Sequence, residues 1–278
     1  MTVYSFCPQA IKDELKNIKL INKGKGSDIA LYKSLWVSWI ENFKGCENKK
    51  EWAICNGIHE ALTHQCAHVH KKFNQFYYFN TDYKFYYSIL EPYNNHCISP
   101  SQIKEILPNS YILVSQPNHE GGITAWFKEL INHAEMNNCK IFLDCAFYGT
   151  TLDTLDTSLD VFDAVAFSLS KNFLMGGFRT GIVFSDSLPQ TLTLPIGQHY
   201  NYNYFNTTAV EVAKIVLPKF PATYITQVAK PIQENYCKNN NLIPADIWMW
   251  AFDNNGNKVC ITDSIMHLIE QQLLLTRR

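Results

Sequence analysis

"AFSLSKNFLMGGFRTGIVF", residues 166–184, sets Ser168, Ser170, Lys171 and Arg179 inside an otherwise apolar segment. Uncompensated burial of polar groups is costly. The four therefore belong either to a plain surface turn or to a place that holds an anion beside a nucleophilic amine. Composition adds weight to the arginine. The chain has 21 lysines but three arginines, and two of these, Arg277 and Arg278, are its last residues. An arginine kept alone in a lysine-rich chain points to a task lysine does badly, the bidentate binding of an oxyanion.

The rest of the composition bounds the class. At 278 residues, 46% apolar and 14% aromatic, the chain can bury a real core as one large domain or two modest ones. A net charge of −1 with no long run of one sign gives no footprint for nucleic acid or an anionic membrane. Nine scattered cysteines without a CxxC pair argue against a disulfide framework and against a structural zinc site of the usual spacing. The first twenty residues turn charged early and lack the apolar stretch of a signal peptide. No apolar run approaches the ~18 residues of a spanning helix. A soluble, cytoplasmic protein is the expectation.

Outward from the opening stretch, short apolar runs alternate with helical periodicity. Strands are expected at 51–55, 75–80, 110–116, 140–144, 162–168 and 181–186. Helices are expected at 27–44, 58–73, 123–138, 207–220, 223–240 and 264–275, with short strands near 247–253 and 258–262. This order predicts an α/β fold, a mostly parallel sheet with helices on both faces, plus a small α+β domain. The large domain is expected at 45–200, and the small one at 1–44 with 201–278. Ligands bind such sheets beyond the carboxyl ends of the strands. Gly57, Asn118, Asp144, Ser168 and Lys171 all fall just after strand ends. Two other features read less as sites. His64, Cys66, His68 and His70 share a helix, but no further metal ligand is marked, and Cys145 has no base near it in sequence.

Four segments in order, "CNGIHEAL", "SQPNHEGG", "FLDCAFYG" and "SLSKNF…GGFRTG", make the chain resemble the class I/II aminotransferases among the fold-type-I pyridoxal-phosphate enzymes. The resemblance covers about residues 50–185. It implies pyridoxal 5'-phosphate as cofactor, carried as a Schiff base on Lys171, whose amine must have a lowered pKa to act as nucleophile. Asp144 is implied to face the pyridine nitrogen and keep it protonated. Asn118 would donate to the phenolic oxygen, and Tyr83 would stack on the ring. The phosphate would take the N–H groups of Gly57, Ile58 and His59 at a helix N-terminus. Ser168, Ser170 and Arg179 would add hydroxyls and a charged fork. Metal has no place in this scheme.

The same resemblance implies an enzyme that exchanges amino acid and keto acid, working as a homodimer with Lys171 and Asp144 as catalytic residues. A lyase or decarboxylase of the same fold, or a non-catalytic homologue that binds the cofactor, fits the motifs too. Two departures matter. Phe147 stands where the family has a tyrosine, with Tyr148 one place later. Between Arg179 and Arg277 there is no arginine to clamp a substrate carboxylate from the shortened small domain, which disfavours a dicarboxylate.

Overall fold

Strands Tyr111–Ser115 and Lys140–Cys145 are almost wholly buried along their length, as expected where both faces of a parallel sheet are covered. A computed structural model describes residues 7–16, 18, 26–118, 122–197 and 206–275. In chain order its helices and strands are α1 Gln9–Leu15, α2 Gly26–Trp39, β1 Glu51–Cys55, α3 Ile58–Val69, β2 Phe76–Phe79, α4 Tyr86–Leu90 and β3 Asn95–Ile98. There follow β4 Tyr111–Ser115, α5 Phe127–Met136, β5 Lys140–Cys145, β6 Phe162–Ser168, α6 Leu169–Asn172, β7 Gly181–Ser185 and α7 Gln190–Gly197. The chain continues with α8 Thr207–Val216, α9 Tyr224–Asn239, β8 Ile243–Pro244, β9 Trp250–Phe252, β10 Lys258–Cys260 and α10 Thr262–Leu275.

The seven-stranded sheet has the order β1-β7-β6-β5-β4-β2-β3. The pairs of β2 with β3 and β4, of β4 with β5, and of β5 with β6 are parallel; β7 runs antiparallel to both neighbours. The alternation of side chains sorts the strands onto two cores. Ile112, Val114, Ile141, Leu143, Val165 and Phe167 face one core, together with residues of α2, α5, α8, α9 and α10. Tyr111, Leu113, Phe142, Ala164 and Ala166 face the other, with α3 and α4. β8, β9 and β10 form a separate antiparallel sheet beside α9, which packs on α10. Among the described residues no helix is long and apolar enough to cross a membrane.

Several boundaries differ from the sequence expectation, each for a local reason. The helix expected from residue 123 starts at Phe127, because Thr124 is held by both ends of the Gln116 amide, at 3.0 and 2.9 Å. The helix expected over 27–44 stops at Trp39. Beyond it, Trp39 O and Asn42 N–H bond to the Tyr148 hydroxyl. β3 escaped the pattern because "NHCI" is polar, short and on the sheet edge.

Candidate active site

Because β7 is antiparallel, its first residue lies at the same sheet edge as the last residues of β1 and β6. Gly181 is paired with Cys55 on one side and Ser168 on the other. Arg179, two residues before Gly181, is thereby delivered to the edge where Gly57 and Ser168 stand. Sequence spacing alone does not contain this; it follows from strand direction.

Gly57 caps α3 with φ +85°, a conformation that favours glycine. A Cβ there would fall 2.3 Å from Arg179 Nη2, so the missing side chain is the space the guanidinium fills. Arg179 itself has φ 51° and is exposed. Its Nη2 donates to Asn56 O at 2.6 Å and its Nη1 to Gly176 O at 3.1 Å. That uses two of five guanidinium N–H groups. Ile58 and His59 open α3, Ile58 buried and His59 exposed. Asn206, which caps α8, ties this corner together: its amide donates to Asn56 Oδ1 at 2.7 Å and to Arg179 O at 3.3 Å.

Ser168 ends β6 and caps α6, its hydroxyl accepting from Ser170 N–H at 3.4 Å. Both serines are buried. Lys171 is the third residue of α6, and this turn is pinned by its neighbour. Asn172 donates to Tyr148 O at 3.0 Å and to Ala222 O at 2.7 Å. The lysine ammonium lies 5.5 Å from the centre of the Phe147 ring. Burial lowers its pKa to about 8, because a low-dielectric surrounding disfavours the charged amine.

Asp144, at the end of β5, is 4% exposed. Its Oδ2 accepts from the Tyr86 hydroxyl at 2.9 Å and its Oδ1 from Ala146 N–H at 2.8 Å. Burial pushes its carboxyl up to about 6, and those two bonds hold it back from going higher. Tyr83 is partly exposed, with its ring 5.5 Å from that of Tyr86. Burial raises its pKa, Asp144 raises it further and Arg179 lowers it, so Tyr83 lies in the field of both charges. Asn118 is buried beyond β4, in a bridge with Gly122 in which its N–H donates to Gly122 O at 2.9 Å. His119 to Gly121 lie outside the described residues, as do the tail arginines, Arg277 and Arg278.

Three placements change or extend the sequence reading. Tyr148 does not take over the role of a tyrosine at Phe147. It is buried, its hydroxyl donates to Trp39 O at 3.1 Å, and its ring packs on Trp39, Phe43 and Phe167. Tyr86 and Asp82 were not singled out, although both stand beside Tyr83 in "TDYKFYY". Only the sheet, which brings α4 over the end of β5, marks them. The histidines singled out along α3 bond to other groups: His64 to Thr191, His68 to Ser187, and His70, just past the end of α3, to Ala67 O.

The chain is similar in structure to several aminotransferases. An aminotransferase from Staphylococcus aureus matches with a TM-score of 0.64 at 16% identity, over 98% of this chain and 91% of its own. An aromatic aminotransferase from Pyrococcus horikoshii OT3 matches at 0.66 and 13% identity, over 89% of this chain and 76% of that one. A PLP-bound C-S lyase from Staphylococcus hominis matches at 0.62 and 13% identity, over 87% and 70% of the two chains. No protein-family model matches, and no curated relative does. The chain has the fold of the pyridoxal-phosphate-dependent aminotransferases.

Proposed function

We propose that this aminotransferase-fold chain binds pyridoxal 5'-phosphate at the β-strand edge and uses it as an aminotransferase on an amino acid. The observation that carries the reading is the pairing of a buried, doubly hydrogen-bonded Asp144 with a lysine of lowered pKa on adjacent strand ends. The donor set fits the cofactor. A ring nitrogen needs a buried anion, a phosphate needs a helix N-terminus and a cation, and an aldehyde needs a neutral amine.

Each residue then has a task. Burial makes the Asp144 anion costly, so a proton facing it on a ring nitrogen relieves that cost and is retained. Gly57, Ile58 and His59 offer main-chain N–H groups to the phosphate. The free N–H groups of Arg179, together with the Ser168 and Ser170 hydroxyls, complete its cradle. Tyr83 covers the ring, and Asn118 donates to its phenolic oxygen. When bound, the cofactor supplies a sink for the electrons left at the substrate Cα. Lys171, its pKa lowered by burial beside Phe147, can in its neutral form take the Cα proton at Nζ and return it elsewhere. With Phe147 aromatic but lacking a hydroxyl, nothing from that position polarises the phenolic oxygen. On the same reading the protein is a cytoplasmic homodimer that takes small amino and keto acids.

The direct test is chemical. Purified protein mixed with pyridoxal phosphate should turn yellow, and borohydride should fix the cofactor on Lys171 by mass spectrometry. An adduct on another lysine, or none, overturns the assignment. The C-S lyase of the same fold makes a second reading worth separating. Conversion to the pyridoxamine form with a keto acid product marks an aminotransferase; release of pyruvate or CO₂ marks a lyase or decarboxylase; no change marks a binder without turnover.

A further inference from the structure

A second buried carboxylate lies beneath the candidate site and has no part in the scheme above. Asp82 is 4% exposed. Its Oδ2 accepts from Ser115 N–H at 2.7 Å and its Oδ1 from Tyr83 N–H at 2.9 Å, and the Ser115 hydroxyl donates to Oδ1 as well. Ser115 is the ladder partner of Asp144 in the β4–β5 pair, so its side chain points to the same face of the sheet. Tyr86, four residues after Asp82, donates to Asp144 from above that face.

We infer that Asp82 is a positioning residue of this site: its carboxylate latches residues 82–86 to β4, and so fixes both Tyr83 and the Tyr86–Asp144 bond. The inference rests on the pyridoxal-phosphate reading for its consequence, but the latch itself does not. Tyr86, Ile89 and Leu90 bury α4 in the core, but the turn before it, residues 82–85, has no regular structure to fix its path, and a single helical turn is unfavourable alone. Two hydrogen bonds from Ser115 tie the turn to β4, and the one from Tyr83 N–H shapes the turn itself. Two aromatic side chains with separate tasks then share one anchor. Burial pushes the Asp82 carboxyl up to about 7, with the Asp144 charge adding to the rise. Its bonds to Ser115 and Tyr83 work against that rise, as expected of donors that favour the anion.

The test compares Asp82→Ala, Asp82→Asn and Ser115→Ala with the unaltered protein. An asparagine keeps one acceptor, for Ser115 N–H, and its amide can donate to the Ser115 hydroxyl; it loses only the bond from Tyr83 N–H, so it should preserve both ties to β4. Hydrogen exchange without cofactor should be at least tenfold faster across residues 82–90 in Asp82→Ala. In Asp82→Asn it should stay within about threefold of the unaltered protein. Ser115→Ala should move the same region in the same direction by less. With pyridoxal phosphate added well below the melting temperature, Asp82→Ala should bind about tenfold more weakly. At saturation, its visible circular dichroism, which reads the asymmetry around the bound ring, should be halved or lower. Asp82→Asn should restore both. Unchanged exchange in Asp82→Ala, or an asparagine variant as impaired as the alanine one, would overturn the latch. Altered exchange with unchanged cofactor affinity and dichroism would break its link to the site. If the unaltered protein gives no visible band with pyridoxal phosphate, the proposed function fails, and the exchange data still decide the latch.

Discussion

The two charged ends of the candidate site are built in opposite ways. Asp144 is buried, takes hydrogen bonds from Tyr86 and Ala146, and sits over an apolar core. Arg179 is exposed, and its guanidinium is braced against the main-chain carbonyls of Asn56 and Gly176. At the buried end the protein itself decides whether the group is charged, because removing water raises the cost of the anion. At the exposed end the charge is never in question, since guanidinium does not titrate in the working range. There the protein controls only direction. On the proposed function, the Asp144 end would tune chemistry and the Arg179 end would hold a ligand.

The largest break in that contrast would come at Asp144. Asp144→Ala should keep measurable cofactor binding through the Arg179 end, yet slow deuterium exchange at the substrate Cα by roughly 10²–10³-fold, the usual loss for one preorganised charge. Proton NMR in heavy water reads this directly. Full exchange in the variant would mean that the buried carboxylate does not face the reacting ring.

Arg179 comes next. A hydrogen bond to a charged group contributes about 1.5–3 kcal/mol net, and about 1.4 kcal/mol is tenfold in affinity. Arg179→Ala should weaken cofactor retention by roughly ten- to a hundredfold. Arg179→Lys should weaken it less, keeping the charge without the planar fork. Equilibrium dialysis against pyridoxal phosphate measures both. Intact cofactor binding with a raised KM for the amino acid would instead place Arg179 on the substrate carboxylate, and the division of labour between the two ends would fall.

The exposed end was the more legible of the two from sequence. Arg179 stood out by its rarity, and Gly57 by the turn before a helical pattern, both of them local signals. The sequence expectation of a parallel sheet rested on strands alternating with helices, as β4, α5 and β5 do. What alternation could not convey was direction: β7 reverses, and only that reversal brings Arg179 beside Gly57. The buried end was half legible. Asp144 closes an apolar strand and so draws notice, but Asp82 and Tyr86 lie in a polar-aromatic run with no period. Their meaning comes from residues 33 and 58 positions away, through the bonds to Ser115 and Asp144. Tyr148 was undecided in sequence for the same reason. Its place one residue after Phe147 left open whether its hydroxyl serves the site, and packing against Trp39 and Phe43 takes it elsewhere.

The smallest effect is a pH dependence that only the buried end should show. Burial raises Asp144 to about 6 and Asp82 to about 7 from an unfolded value near 3.8. Between about pH 4 and 7 the folded protein therefore binds more protons than the unfolded chain at these two positions, and stability from them falls as pH rises. Their contribution is fully present below the unfolded value and is lost as pH passes through 6 to 7. Exposed carboxylates with lowered values, such as Asp156 and Asp253, act in the opposite sense but near or below pH 4, outside this window. In the cofactor-free protein the melting temperature should thus drop between pH 5 and 7.5. Asp144→Asn, which can still meet Tyr86 and Ala146, should flatten that drop by roughly 2–3 °C, taking about one pKa unit, the part that falls inside this window, and the usual conversion for a chain of this size. The comparison cancels groups common to both proteins. Arg179→Ala, altering the other end, should leave the slope unchanged, since no titration there is involved. Parallel curves for the unaltered protein and Asp144→Asn would show that Asp144 is solvated as an ordinary carboxylate. The contrast between a tuned end and a holding end would then have no basis.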